Sequence, residues 1–575
     1  MIKLRKFLKP FRLTIFAVLT LILLQSLSEL YLPTLMSDIV DKGVVKGDTH
    51  YIWKIGGYML MVASGGMICS VTASFFSAKV ASGFGKTLRS KVFKHVGDFS
   101  LHEFDKIGTA SLITRTTNDI TQVQQVLVMM LRMMVMAPMM CIGGIIMAIS
   151  KDAKLTLVLA VSIPILVLAI TIIAKKGLPL FKVMQIKLDN LNRVLRENLT
   201  GIRVVRSFNR VEHEKKRFDA ANLDLTETAI KVNKIMASMM PIMMIVLNLT
   251  TVAIIWFGGI RISNGHMEVG DMMAFIQYAM QIMFSFIMLS MMFVMIPRAS
   301  VSAGRINEVF DMTADISDPS APVSPKEKKG HVEFQNVTFS YPGAEMPALS
   351  NISFSMKPGE VTAIIGGTGS GKSTLINLIP RFYDVDHGKV LVDGVDVREI
   401  SQECLREKIG FVPQMAVLFT GTIAENIRFG KENATEAEVK HAAEIAQASE
   451  FINNMPDGFD SVIAQGGTNV SGGQKQRLSI SRALVRKPEI YIFDDSFSAL
   501  DFKTDAMLRS ALKKETENAA VLIVAQRVST IMDADQIIVL DNGEISGIGK
   551  HRELMESSPV YREIVMSQLS EEEIA

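Results

Sequence analysis

Cysteine is nearly missing, with three in 575 residues. Three cannot form a disulfide framework, and Cys69, Cys141 and Cys404 have no zinc-like spacing. Their plain role is small apolar filler. A charge excess of either sign is missing too. Lysine and arginine number 61 against 58 aspartate and glutamate, a net +3, which is not the footprint of a nucleic-acid binder. Glycine (39) and proline (18) stand at ordinary levels, which excludes a collagen-like chain. Disorder is excluded by the 49% of apolar residues.

Those apolar residues are not spread evenly. Six long apolar stretches lie at 13–35, 51–75, 127–149, 155–174, 236–260 and 271–296. Each is near or above the roughly 20 residues that cross about 30 Å of hydrocarbon. Lys3, Arg5, Lys6 and Lys9 precede the first. Its run is too long for a signal peptide, and no small-residue cleavage site follows. The positive-inside rule puts the N-terminus in the cytoplasm, and an even number of spans returns the C-terminal half there. The loops after spans two and four are long, basic and nearly free of proline, and apolar residues recur in them every three to four positions. They read as membrane helices continuing into the cytoplasm, each pair joined by a short turn near His102–Gly108 and near Ser207–Glu212. Pro319, Pro322 and Pro325, followed by Lys326, Glu327, Lys328 and Lys329, mark a linker at 312–330. The expected organisation is a transmembrane domain at 1–311, the linker, and an α/β domain at 331–575, which the motifs below make a nucleotide-binding domain.

The last domain reads as α/β and carries the chemistry. Val361–Ile365 is a short β-branched run, hence a strand. Gly366, Gly367, Thr368, Gly369, Ser370, Gly371, Lys372, Ser373 and Thr374 follow, then a helical pattern. This is a complete phosphate loop in its strand–loop–helix context. Its backbone N–H groups converge on phosphates at a helix N-terminus. Lys372 is expected on the β- and γ-phosphates of ATP, and Ser373 on Mg²⁺. A second apolar strand at 489–493 ends in Asp494 and Asp495, where a second Mg²⁺ holder is expected. Between the two lie Ser471, Gly472, Gly473 and Gln474, ahead of a further helical pattern.

With that segment the chain resembles the ATP-binding cassette (ABC) family, whose signature is a near-identical Ser-Gly-Gly-Gln at this place. The resemblance covers the whole chain and implies a half-transporter of the exporter type in a bacterial plasma membrane, its cassette cytoplasmic. It further implies that Tyr341 stacks on adenine, that Gln414 senses Mg²⁺ and the attacking water, and that Ser498–Asp501 links two cassettes. The signature is expected to contact ATP on the opposite cassette of a dimer. Two positions depart from the family pattern. Where the family usually has glutamate to polarise water, this chain has Asp495. Where it usually has histidine at the γ-phosphate, this chain has Gln526. A shorter carboxylate and an amide that cannot take a proton predict a site that binds ATP but hydrolyses it poorly, beside a non-identical partner subunit.

The expected function is ATP-driven export of hydrophobic or amphipathic small molecules through the lipid bilayer. A homodimeric lipid flippase and an ATP-gated channel are the alternatives. Methionine is abundant at 37 and clusters at Met129–Met147, Met236–Met244 and Met267–Met295. These clusters read either as an adaptable substrate wall or as lipid- and helix-facing filler. Gln25 and Glu29 share a face of the first span. Glu29 either meets a cationic substrate or lies near enough to the outer surface to be wet. Arg132 reads as snorkelling at the inner edge of span three.

Overall fold

The computed structural model describes residues 2–325 and 329–568. Lys326, Glu327 and Lys328 of the expected linker lie outside the described residues, as do the side chains of Met291, Phe293 and Val294 within the sixth helix. The chain divides into two compact units. One comprises Met1–Gly97 and Ala110–Met312, the other Asp98–Thr109 and Thr313–Ala575.

The first unit is helical. Six helices long and apolar enough to cross a membrane run Lys3–Val44, Thr49–Gly97, Thr109–Lys151, Thr156–Thr200, Val211–Ser263 and Val269–Asp311. Their 42 to 53 residues amount to roughly 63–80 Å at 1.5 Å per residue, about twice the hydrocarbon thickness. The apolar segments therefore do continue as helices past the bilayer. Prolines 33, 138, 164, 179, 241 and 297 sit inside these helices. Such prolines are tolerated where neighbouring helices re-satisfy the freed carbonyls. The first helix packs on the second, the third on the sixth and the fourth on the fifth. Buried polar contacts fix the end away from the long extensions. Asp152 pairs with Arg261 and accepts from the Leu155 N–H at 2.8 Å. Lys151 reaches Asp271 at 2.6 Å, and the Gly270 N–H donates to Asp41 at 2.6 Å.

The two hairpin tips are not the simple turns expected. Leu101–Ile107 is a short helix. The Glu103 carboxylate accepts from both the N–H and the hydroxyl of Ser100 at 2.6 Å, a capping box that stabilises so short a helix. The second tip holds the helix Ile202–Ser207 and turns at Asn209, whose φ is +51°.

The second unit holds the α/β core. Its strands are β1 (Val332–Phe339), β2 (Leu349–Met356), β3 (Val361–Gly366), β4 (His387–Val392), β5 (Val395–Asp396), β6 (Ile409–Val412), β7 (Gly421–Thr422), β8 (Val462–Ile463), β9 (Ile490–Asp494), β10 (Ala520–Val524), β11 (Gln536–Asp541) and β12 (Glu544–Gly549). One sheet has the order β2-β1-β4-β5, and the larger has the order β12-β11-β3-β10-β9-β6. From β11 to β6 the larger sheet is parallel. A parallel sheet is covered on both faces, so β9 and β10 are buried at every position. That is why they appear in the sequence as unbroken apolar runs.

Candidate functional site

Four loops leave the carboxyl edge of β3, β10, β9 and β6, which are consecutive neighbours in the sheet. The phosphate loop follows β3, Gln526 follows β10, Asp494 and Asp495 end β9, and Gln414 follows β6. Residues far apart in sequence are thereby delivered to one edge, the usual ligand position in open parallel sheets.

The phosphate loop is built around close backbone approaches. At Gly371 φ is +96°, and a Cβ there would lie 2.8 Å from Leu349 and 2.9 Å from the Ala348 carbonyl. At Gly367 and Gly369, by contrast, a Cβ would meet nothing within 4 Å, which leaves the cradle open to a ligand. The Lys372 ammonium donates to the carbonyls of Gly366 at 2.9 Å and Gly367 at 2.7 Å. Ser370 is buried and Thr368 exposed.

Burial lowers the Lys372 pKa, against the opposing pull of Asp494 and Asp495. Burial likewise raises Asp494, and the Asp495 charge adds to it. The hydroxyl of Ser373 and the ammonium of Lys372 act the other way. The structure thus places the Ser373 hydroxyl close enough to Asp494 to stabilise its charge. One hydroxyl beside one carboxylate fits a Mg²⁺ that takes its remaining ligands from phosphate and water. Among the described residues no group of three or more His, Cys, Asp or Glu could hold a metal by itself.

Asp495 has φ +45°, a left-handed conformation that costs a non-glycine residue roughly 1–3 kcal/mol and often marks a functional position. Its Oδ2 accepts from the Gln526 amide at 2.9 Å and from the Gln414 amide at 3.4 Å. Both residues that depart from the family pattern therefore touch each other. Two residues that sequence reasoning missed hold this group. Gln568 donates to the Gln526 carbonyl at 2.8 Å and accepts from the Val528 N–H at 2.9 Å. It thereby brackets the segment that carries Gln526. Gln476, buried on the helix Gly472–Leu484, donates to the carbonyls of Pro413 and Gln414 at 3.4 Å. Neither belongs to a sequence pattern that would have singled out its role.

Tyr341 presents a partly exposed ring, and its hydroxyl bonds Thr374 at 3.0 Å. An edge-on contact with Tyr383, centroids 5.4 Å apart, fixes the ring plane. Tyr383 was also missed. Burial raises its pKa, and the nearby Tyr341 and Asp105 add to the shift. Asp105 lies on the first hairpin tip, which belongs to this same unit. The signature lies elsewhere on the surface of the unit. Ser471 caps the helix Gly472–Leu484 by accepting from the Gln474 N–H at 3.3 Å, and the Gln474 side-chain Oε1 accepts in return from the Ser471 N–H at 2.8 Å. Ser471 and Gly472 are exposed. Gly473 sits against the Ala499 carbonyl, 3.1 Å from where a Cβ would be. Among the described residues, no hydrogen bond joins the signature to the phosphate loop of its own chain.

Two family models match the sequence. The ABC transporter transmembrane region covers residues 15–286 and the ABC transporter model covers residues 349–498. An uncharacterised ABC transporter ATP-binding protein of Mycobacterium tuberculosis is 45% identical over 98% of this chain and 97% of its own length. An ATP-dependent lipid A-core flippase of Syntrophus aciditrophicus is 32% identical over 87% of this chain and 84% of its own length. The structure of a bacterial Atm1-family ABC exporter with ATP bound superimposes with a TM-score of 0.81 at 26% identity, covering 98% of this chain and 99% of the other.

Proposed function

Since the chain belongs to the ABC transporter family, with the membrane and ATP-binding regions of an exporter half in one polypeptide, we propose that it exports hydrophobic or amphipathic compounds as one half of a heterodimer whose ATP site on this chain hydrolyses poorly. The family makes it an ATP-driven transporter of the plasma membrane, with its cassette on the cytoplasmic side. In the proposed asymmetric complex, Tyr341 and residues 366–374 bind one ATP. Ser373 and Asp494 hold Mg²⁺, with Gln414 beside them. Mg²⁺ held there by Ser373 and Asp494 would supply positive charge against the phosphates. Ser471, Gly472, Gly473 and Gln474 face outward to serve the nucleotide of the other cassette. Closure of the cassettes is passed through the hairpin tips to the spans, which switch from inward- to outward-facing.

The observation that carries the weak-site reading is the arrangement at Asp495. Its side chain is one methylene shorter than glutamate and stops about 1 Å back, and an error of that size costs on the order of 10²-fold. Its Oδ2 is already occupied by two amide donors. Neither amide can take a proton from water. The test is to purify the tagged chain from its native membrane. A non-identical ABC half should accompany it. A photoreactive ATP analogue should label this chain, and turnover-dependent trapping with vanadate should label mainly the partner. An active dimer of this chain alone would overturn the reading. The alternative, a lipid flippase assembled from two copies of this chain, draws its substrate class from the flippase relative.

A further inference from the structure

A polar pair inside the membrane unit is left over from the nucleotide chemistry. Glu29 lies on the first helix about 14 Å inward of Asp38 at 1.5 Å per residue, which places it within the apolar span. Gln25, one turn deeper, is 7% exposed and donates to Glu29 Oε1 at 2.9 Å. The opposite wall is the sixth helix. There Tyr278, fully buried, donates to the Leu30 carbonyl at 3.0 Å and shares a hydrogen bond with Thr34 at 2.7 Å. That contact bolts the two helices together. One turn deeper, Gln281 donates to the Glu29 carbonyl at 3.2 Å, and its own Oε1 is buried with no hydrogen-bond partner.

The result is a half-buried carboxylate with one donor beside a buried amide oxygen with none. Among the described residues no lysine, arginine or histidine pairs with Glu29, whose one hydrogen-bond donor is Gln25. Buried acceptors without donors are costly, and more so in hydrocarbon. An ionisable group at this depth marks a functional position by default. On the sixth helix, Gln277 and Phe284 are exposed one turn to either side of Gln281. Phe284 offers an aromatic face of the kind that attracts cations. We propose that Glu29, Gln25 and Gln281 form a substrate site for an amphipathic organic ammonium. Its N–H groups reach the Glu29 carboxylate and Gln281 Oε1, and its apolar body lies along the neighbouring methionine and phenylalanine side chains. This rests on the export reading and narrows its substrate class.

The probe is monodansylcadaverine, a fluorescent primary ammonium, compared with its N-acetyl derivative, which has the same body and no charge. Both are titrated into the complex as purified from its native membrane, held in lipid nanodiscs, with empty nanodiscs subtracted. The ammonium should bind roughly tenfold or more tighter than the acetylated compound, as expected for charge-assisted hydrogen bonds. Glu29→Gln should erase that preference by weakening the ammonium far more than the acetylated compound. Glu29→Asp, which keeps the charge, should retain most of it and controls for misfolding. No preference in the unaltered complex, or a preference that survives Glu29→Gln, would overturn the site. ATP-dependent uptake into inverted vesicles separates this from the export reading. Uptake of both compounds with a preference indifferent to Glu29 sinks the site alone. Uptake of neither sinks export, while the binding comparison still decides the site.

Discussion

The nucleotide site has two sides that follow different rules. On one side stand Tyr341, the phosphate loop and Ser373. Each has its neighbours in place: Tyr341 tied to Thr374, Lys372 anchored on two loop carbonyls, Ser373 beside Asp494. On the other side stand Asp495, Gln526 and Gln414, locked to one another through a single carboxylate oxygen. The first side presents donors and open space to a polyanion. The second spends its hydrogen-bonding capacity on itself. The difference teaches that the groups expected to bind ATP and those expected to hydrolyse it sit on different loops of one sheet edge, so the proposed reading, in which binding survives while hydrolysis fails, needs no change of fold.

The largest effect should come from the exposed signature. Ser471→Ala removes a hydroxyl that faces the partner's nucleotide in the proposed complex. Loss of one donor aimed at developing charge costs on the order of 10²–10³ in rate. Asp495→Asn, in the site proposed to be weak, should leave most of the activity. ATPase rates of the complex assembled with the native partner check the ranking. The reverse order would make this chain's own site the productive one.

Next comes Lys372→Ala. Hydrogen bonds to charged groups contribute about 1.5–3 kcal/mol, so nucleotide affinity at this chain should fall by roughly 10–150-fold. Photolabelling of this chain should disappear. Labelling that persists would mean that the binding side owes little to the loop.

A smaller effect should follow from converting the second side into the family pattern. Asp495→Glu lengthens the carboxylate, and Gln526→His replaces the amide that now bonds it. The two touch, so their effects should not add. Single-turnover hydrolysis at this chain should rise little in either single variant and by roughly 10-fold or more in the pair, set against the order 10² cost of a misplaced group. A flat rate in the pair would show that the partner's signature, rather than these residues, limits the site.

How much of this was legible varies with how local the signal is. The six spans show because hydropathy and length are local properties. Their cytoplasmic continuations show because the loops keep helical spacing. The capped helix at Leu101–Ile107 reads as a turn in the sequence, although Ser100 and Glu103 form a capping box. Seven residues are too few to display a periodicity. In the cassette, the phosphate loop is contiguous and could be read outright. The contact of Asp495 with Gln414 spans 81 residues and depends on β9 lying next to β6. Strand order is a tertiary fact with no local trace. Tyr383 escaped notice for the same reason, since its value lies in touching Tyr341.

Gln568 sharpens the comparison most finely, because among the described residues its side-chain hydrogen bonds go to the Gln526 segment on the side expected to hydrolyse. It follows the helix Pro559–Met566, and its amide bridges the Gln526 carbonyl and the Val528 N–H. Two neutral hydrogen bonds contribute about 0.5–1.5 kcal/mol each, and this pair is partly exposed, so the effect on stability should be small. What the bridge fixes is where the Gln526 segment points. Gln568→Ala should therefore lower kcat several-fold in the restored Asp495→Glu, Gln526→His background, with little change in KM. Gln568→Glu keeps the acceptor for Val528 but loses the donor to the Gln526 carbonyl, and should fall between the two. Measured kcat and KM of the three complexes decide it. A change confined to KM would place Gln568 with the binding side, and equal loss of thermal stability and activity would reduce it to packing.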